Sequence, residues 1–304
     1  MKIRLSSLIA FGLLCLSGCA RAEAPTPAMI HADPALWVVK DKDTTIYLFG
    51  SVHLLKPNIV WFDGKVKAAF DQSGELVTEM IAPDPAEMAA AVAKLAVNSD
   101  GPATSSLLTP EARTKYLAAL ANLNLSAATL DRVDPWMAAI TLSIAPLEKL
   151  GYASDSGVDD QLMAAAKAAH KKQAGLETVE QQLGYFDSLP RPLQIKYLNA
   201  TVDELPGVEQ QFADLITSWS RGNVDAIATE MNGSLESTPE LAKVLLYDRN
   251  ARWAKWIGAR MKQPGTVFVA VGAGHLAGQR SVIDDLAKAG FKVKRVTQGD
   301  PKPK

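Results

Sequence analysis

The chain has 304 residues, 48% hydrophobic and 21% charged, with a formal net charge of -1, two cysteines and four histidines. That composition supplies apolar material for one large core or two small ones, and a mildly acidic balance argues against a surface built to grip nucleic acid. Both cysteines, Cys15 and Cys19, lie near the amino terminus, so the rest of the chain has no thiol for a disulfide, a thiolate metal site or a cysteine nucleophile.

In chain order, Met1-Lys2-Ile3-Arg4 is basic, and Leu8 to Leu16 is apolar but too short to span a bilayer as a mature helix. This is the pattern of a signal peptide, taken as residues 1–18. Its end, Leu16-Ser17-Gly18-Cys19, resembles the bacterial lipobox, in which the cysteine is lipidated and becomes the first mature residue. The alternative is cleavage after Ala20-Arg21-Ala22, which fits the small-residue rule and would release a soluble periplasmic protein. Ala20 does not resemble an inner-membrane retention signal, so the expected location is the periplasmic side of the outer membrane, anchored by lipid at Cys19. Loss of Lys2 and Arg4 with the leader moves the net charge from -1 to -3. A Pro/Ala-rich tether follows, taken as 19–33, then one domain over 34–298 and a tail over 299–304.

Trp37 to Lys40, the polar Asp41-Lys42-Asp43 and Thr44 to Phe49 read as a β-hairpin. Glu75 to Thr78 reads as a third strand, ending at Glu79. From Pro85 to about Met261 apolar residues recur at three and four positions, punctuated by prolines at 110, 135, 190, 206 and 239, so this stretch is expected to be mainly helical. Within it, Ala174 to Glu177 forms a short strand pattern, with Thr178 and Gln181 as a capping box. Thr266 to Val271, a helix near Ser281 to Ala289 and Phe291 to Val296 make a β-α-β unit, which implies parallel strands. The expected fold is α/β, with a mixed sheet interrupted by a large, mainly helical insertion.

Two histidines occupy the same frame at opposite ends of the chain. Gly50-Ser51-Val52-His53 follows the apolar run Thr44 to Phe49, and Gly272-Ala273-Gly274-His275 follows Thr266 to Val271. Each imidazole therefore falls just past the carboxyl end of a buried strand, where α/β folds place their chemistry. Gly50, Gly272 and Gly274 let the backbone turn and approach closely there. Two histidines and a carboxylate suit a divalent metal, and Glu79, at the end of its own strand, is the candidate carboxylate, as ligand or as general base. Such an ion would acidify a bound water and polarise a carbonyl. Against this stands the plainer reading of a histidine hydrogen-bonded for structure alone. His31 and His170 are expected on solvated surfaces, and Trp136, Trp219, Trp253 and Trp256 in the core.

Leu36-Trp37, Leu48 to His53, Gly157-Val158-Asp159, Leu176 to Leu183, Arg249-Asn250 with Trp253, and Val271 to Gly278 occur together and in order, and this frame resembles the TraB/GumN family. That family is related to the Tiki metalloproteases and, more distantly, to erythromycin esterase-like and ChaN-like haem-binding proteins. The resemblance implies a metalloprotease-like site built from Gly50, His53, Glu79, Gly272 and His275, with manganese or cobalt, or else zinc, as the ion. Arg249 and Asn250 match a polar pair of the family. Arg249 either holds a substrate carboxylate or oxyanion, or forms a salt bridge on the helix that carries Trp253 and Trp256. Asp159 is either a further ligand or, as favoured here, a helix N-cap. Glu177, ending its strand as Glu79 does, is a secondary candidate for the same pocket.

The leading expectation is a metal-dependent hydrolase acting on peptides or proteins, with catalytic roles for Glu79, Arg249 and Asn250. The alternatives are a non-catalytic binding protein for haem, iron or a peptide, and a lipoprotein scaffold. Oligomeric state is not readable from the residues.

Overall fold

A computed structural model describes residues 28–297 apart from residue 237. The signal peptide, both cysteines, most of the tether and the tail lie outside the described residues. The strands are β1 (Ile30–His31), β2 (Leu36–Lys40), β3 (Thr44–Ser51), β4 (Ile59–Val60), β5 (Glu75–Thr78), β6 (Lys172–Gly175), β7 (Gly265–Gly272) and β8 (Val293–Arg295). Six of them form one mixed sheet in the order β6-β5-β7-β3-β2-β8, and β1 pairs with β4 in a separate parallel ribbon. Ile30 to Asp33, read as tether, thus belong to the folded body: the Ala32 and Asp33 amides donate to the Val60 and Ser220 carbonyls.

The predicted hairpin forms, β2 running antiparallel to β3. Its turn is closed by Asp41, whose Oδ1 accepts from the amides of Asp43 at 3.1 Å and Thr44 at 2.9 Å, the local side-chain bond that makes Asp a turn former. Strands β3 and β7 are parallel neighbours at the centre of the sheet. Both are buried over almost their whole length, which explains their near-continuous apolar sequence. Residues alternate between two layers. Phe49 and Phe268 pack with Trp61, Phe70 and Trp219 on one face, while Ile46, Leu48, Val267 and Val269 meet Trp253, Ile257 and Leu286 on the other.

One expectation holds and one needs correction. The C-terminal β-α-β unit forms, with β8 running parallel to β7, although β8 adds beside β2 and the crossover passes two strands. The strand inside the insertion is Lys172–Gly175, two residues earlier than expected, and it pairs parallel with β5 at the sheet edge. An edge strand is half solvated, so its sequence carries no apolar run to mark it.

The rest of the insertion is helical, with its own apolar cluster around Tyr116, Leu120, Leu142 and Leu198. Pro85, Pro110, Pro135 and Pro239 each open a helix, where a missing amide costs nothing. Among the described residues no helix is long and apolar enough to cross a membrane.

Candidate functional site

Because β3, β5, β6 and β7 run in one direction, their carboxyl ends share one edge of the sheet. His53, Glu79, Glu177 and His275 each stand one to three residues beyond one of those ends. The ladder continues past the strands, with the Glu177 amide donating to the Glu79 carbonyl at 2.8 Å. Glu177 and Glu79 are both buried, 7% and 8% exposed.

Arg249 ties these carboxylates together from the helix Asp248–Arg260. Its Nη2 donates to Glu79 Oε2 at 2.6 Å and Glu177 Oε2 at 2.8 Å, and its Nε to both Glu177 oxygens. Its Nη1 donates to the Leu245 carbonyl at 3.3 Å and reaches His275 Nε2 at 3.2 Å. A guanidinium has five N–H groups, and all five are engaged. None is left for a substrate carboxylate or oxyanion, so in this geometry Arg249 is the buried salt bridge. It also lies over the Trp253 ring at 4.7 Å.

His275 is oriented by Asn250. The amide nitrogen of Asn250 donates to the Arg280 carbonyl at 2.8 Å, which turns its Oδ1 toward His275 Nδ1 at 2.6 Å. Nδ1 therefore carries the proton, and the Nε2 lone pair points at Arg249 and at Glu79 Oε1, 3.8 Å away. The Trp253 ring packs against the imidazole at 4.5 Å. Burial, with help from Arg249 and His53, pushes the imidazole pKa down to about 3, so His275 is neutral at physiological pH. Burial also works against ionisation of Glu79, but His275, Arg249, His53 and the Gly272 amide, 2.7 Å from Oε1, outweigh it and hold the carboxyl at about 2.

His53 is arranged in parallel. Its Nδ1 lies 2.7 Å from Asp159 Oδ2; a carboxylate only accepts, so Nδ1 is the donor and Nε2 faces away. That bond raises the imidazole pKa to about 9, an effect weakened by solvent because the ring is 69% exposed. Asp159 is thus not the N-cap expected of it. Gly157 occupies that position, without a side-chain bond. The Val158 amide donates to the Val52 carbonyl at 3.0 Å, and a Cβ on Gly157 would lie 2.0 Å from the His53 carbonyl oxygen. Only glycine allows the two segments to meet so closely.

The glycines of the two frames have distinct neighbours. The Gly50 carbonyl accepts from Trp219 Nε1 at 2.8 Å in the core. A Cβ on Gly272 would crowd Glu79 Oε1 at 3.1 Å, and one on Gly274 would meet Asn232 Oδ1 at 2.7 Å. Asn232 Nδ2 donates to the Gly274 and Ala277 carbonyls, bracing the turn that carries His275. Asn232 closes one π-helical turn, Ala228–Asn232, and the Leu245 carbonyl that accepts from Arg249 belongs to another, Lys243–Tyr247. Such turns recur beside functional sites.

The sequence reading gave no role to Gln182, Tyr185, Asn232 or Arg252. Gln182 Nε2 donates to Glu79 Oε2 at 3.0 Å, and the Tyr185 hydroxyl donates to Glu177 Oε1 at 3.0 Å. Both sit on the helix Val179–Asp187, started by the predicted Thr178/Gln181 capping box. Gln182 lies within Leu176 to Leu183, so the motif held that signal. His31 and His170 are exposed, as expected. Among the described residues no three His, Asp or Glu side chains converge into a ready-made ion site.

Fold and site together define an α/β protein with a buried cluster of imidazole, carboxylate and guanidinium at the carboxyl edge of its parallel strands. The chain belongs to the TraB/PrgY/gumN family, whose model matches residues 35–295. An uncharacterized protein of Treponema pallidum (strain Nichols) is 22% identical over 91% of this chain and 86% of its own length. The uncharacterized protein YbaP of Escherichia coli (strain K12) is 30% identical over 47% of this chain and 53% of its own length. The metalloprotease TIKI1 of Danio rerio is 26% identical over 94% of this chain and 67% of its own length. No solved structure matches the chain at a significant level.

Proposed function

We propose that the protein is a metal-dependent peptide hydrolase, with His53, Glu79 and His275 as the residues that hold a divalent ion. One observation carries this reading: each strand-end histidine gives its Nδ1 proton to an oxygen acceptor, Asp159 at 2.7 Å or Asn250 at 2.6 Å, so Nε2 is the ring atom turned to an ion, which would displace the Nε2 proton of His53 and the Arg249 Nη1 contact at 3.2 Å on His275. That is how ligating histidines are held, since the acceptor fixes both tautomer and ring orientation. Glu79 Oε1 and His275 Nε2, 3.8 Å apart, are spaced so that one ion at bond lengths of about 2.0–2.2 Å reaches both. The donor set is nitrogen and oxygen only, which suits manganese, cobalt or zinc. When bound, the ion would supply Lewis acidity and an activated water.

The chain's own residues divide the remaining work. Asn250 and Asp159 orient the imidazoles and are positioning residues. Arg249 pairs with Glu79 and Glu177 and helps to hold Glu79 ionised in a buried setting. A carboxylate held near 2 is a weak proton acceptor at neutral pH, so of the two roles expected for Glu79 the ligand role fits better than the base. The name of the TIKI1 relative supports the peptidase class.

Incubation of the purified protein with manganese, cobalt or zinc and a peptide mixture, read by mass spectrometry, tests the reading. New peptide termini that disappear in Glu79→Gln are expected. No cleavage with any of the three ions contradicts it.

A further inference from the structure

Beside Arg249 the helical insertion forms a pocket of about 340 Å³ that is half open to solvent. Phe186, Tyr197, Val208, Leu235 and Leu245 form its apolar walls, and Arg249 lies at its boundary, so the cavity adjoins the strand-end cluster. Phe186 and Tyr197 stack at 6.1 Å, and Phe186 stacks in turn on the fully buried Trp136 at 5.6 Å. The aromatic wall is therefore braced from behind.

Size argues for an occupant. A cavity of about 150 Å³ already takes up a benzene-sized guest, and small-ligand pockets begin near 300 Å³. There is room here for an aromatic side chain together with its peptide unit. A second pocket, about 160 Å³ between Thr109, Lys115 and Asp203, touches none of the site residues. Charge argues against an acidic guest, because Arg249 has no N–H left to offer it. Glu204 is the one carboxylate in the lining.

We infer that this cavity is the specificity pocket of the site, taking a large apolar or aromatic side chain of the peptide substrate, an inference that rests on the peptidase reading above. The insertion then has a purpose of its own: the strands carry the chemistry and the helices select the substrate.

Calorimetric titration of the mature protein with Ac-Gly-Phe-Gly-NH2, Ac-Gly-Ala-Gly-NH2 and Ac-Gly-Lys-Gly-NH2 tests it. The phenylalanine peptide is expected to bind at least tenfold more tightly than the other two. Leu235→Trp and Val208→Trp, which fill the cavity, are each expected to erase that preference while leaving metal content unchanged. Equal affinity for the three peptides in the wild type overturns the pocket and needs no variant to fold. A preference that survives in both filled variants overturns it too. Peptide cleavage without the preference sinks the pocket alone, whereas the preference without cleavage under any ion upholds the pocket and sinks the peptidase reading.

Discussion

Arg249 serves two buried carboxylates, a backbone carbonyl and an imidazole with one side chain, and its removal would leave buried Glu79 without its guanidinium and Glu177 with only the more distant Arg252. Arg249→Met is therefore expected to cost about 3–5 kcal/mol in chemical denaturation. Arg252→Met, at a side chain that is 49% exposed and 3.5 Å from Glu177, is expected to cost no more than about 1 kcal/mol. Equal losses in the two variants would contradict this account of the pair. The histidine beside them sets a pH dependence. His275 binds a proton near 6.5 when unfolded but only near 3 when folded, so between those values the unfolded state holds more protons and stability rises with pH. Glu79, lowered from 4.5 to about 2, adds stability that is full above 4.5 and is lost as pH falls toward 2. Thermal melting of the metal-free protein should therefore move down on acidification from pH 7 to pH 5, and His275→Gln should remove most of that movement. A melting point that stays level over this range in the wild type would refute it. At this scale the histidines, Glu79 and Glu177 were legible in the sequence, because a glycine turn or strand end after an apolar run marks them. Tyr185 and Asn232 were not, since a polar residue on a helix reads the same whether it faces solvent or braces a turn.

Among the elements, the site depends on close backbone approach. The helix Val158–Ala168 begins against the turn carrying His53, and Gly157 permits it. Gly157→Ala forces a Cβ into the His53 carbonyl, so it should part the Val158 amide from Val52 and release Asp159 from His53. A loss of about 1–3 kcal/mol is expected by denaturation. Gly184, in the helix Val179–Asp187, has nothing within 4 Å of where a Cβ would stand. Gly184→Ala should stabilise the protein by about 0.5–1 kcal/mol. The opposite signs separate a glycine kept for contact from one that is not, and like signs would count against the contact. The central strands and the hairpin could be read in advance because their apolar residues fill both faces. Strand Lys172–Gly175 was displaced in that reading because an edge position leaves its sequence polar, and the neighbour of the last strand was left open because periodicity says nothing about strand order.

For the molecule as a whole, the fold brings its two ends together: β3 and β7 are adjacent, so the two G-x-x-H frames, far apart in the chain, finish side by side. That juxtaposition is why their identical spacing carries meaning. Fold class and site location were legible because the pairing of two long apolar strands is hard to satisfy otherwise. A salt bridge on its helix was only one of two readings of Arg249, and neither glutamate was named in it, since nothing local to Arg249 points to its partners. The central claim is that His53 and His275 hold one ion. Elemental analysis of the purified protein beside His53→Ala, His275→Ala and the double variant tests it most directly. About one equivalent of manganese, cobalt or zinc in the wild type, falling sharply in each single variant and to background in the double, is the predicted result; a double variant with unchanged metal content would contradict it.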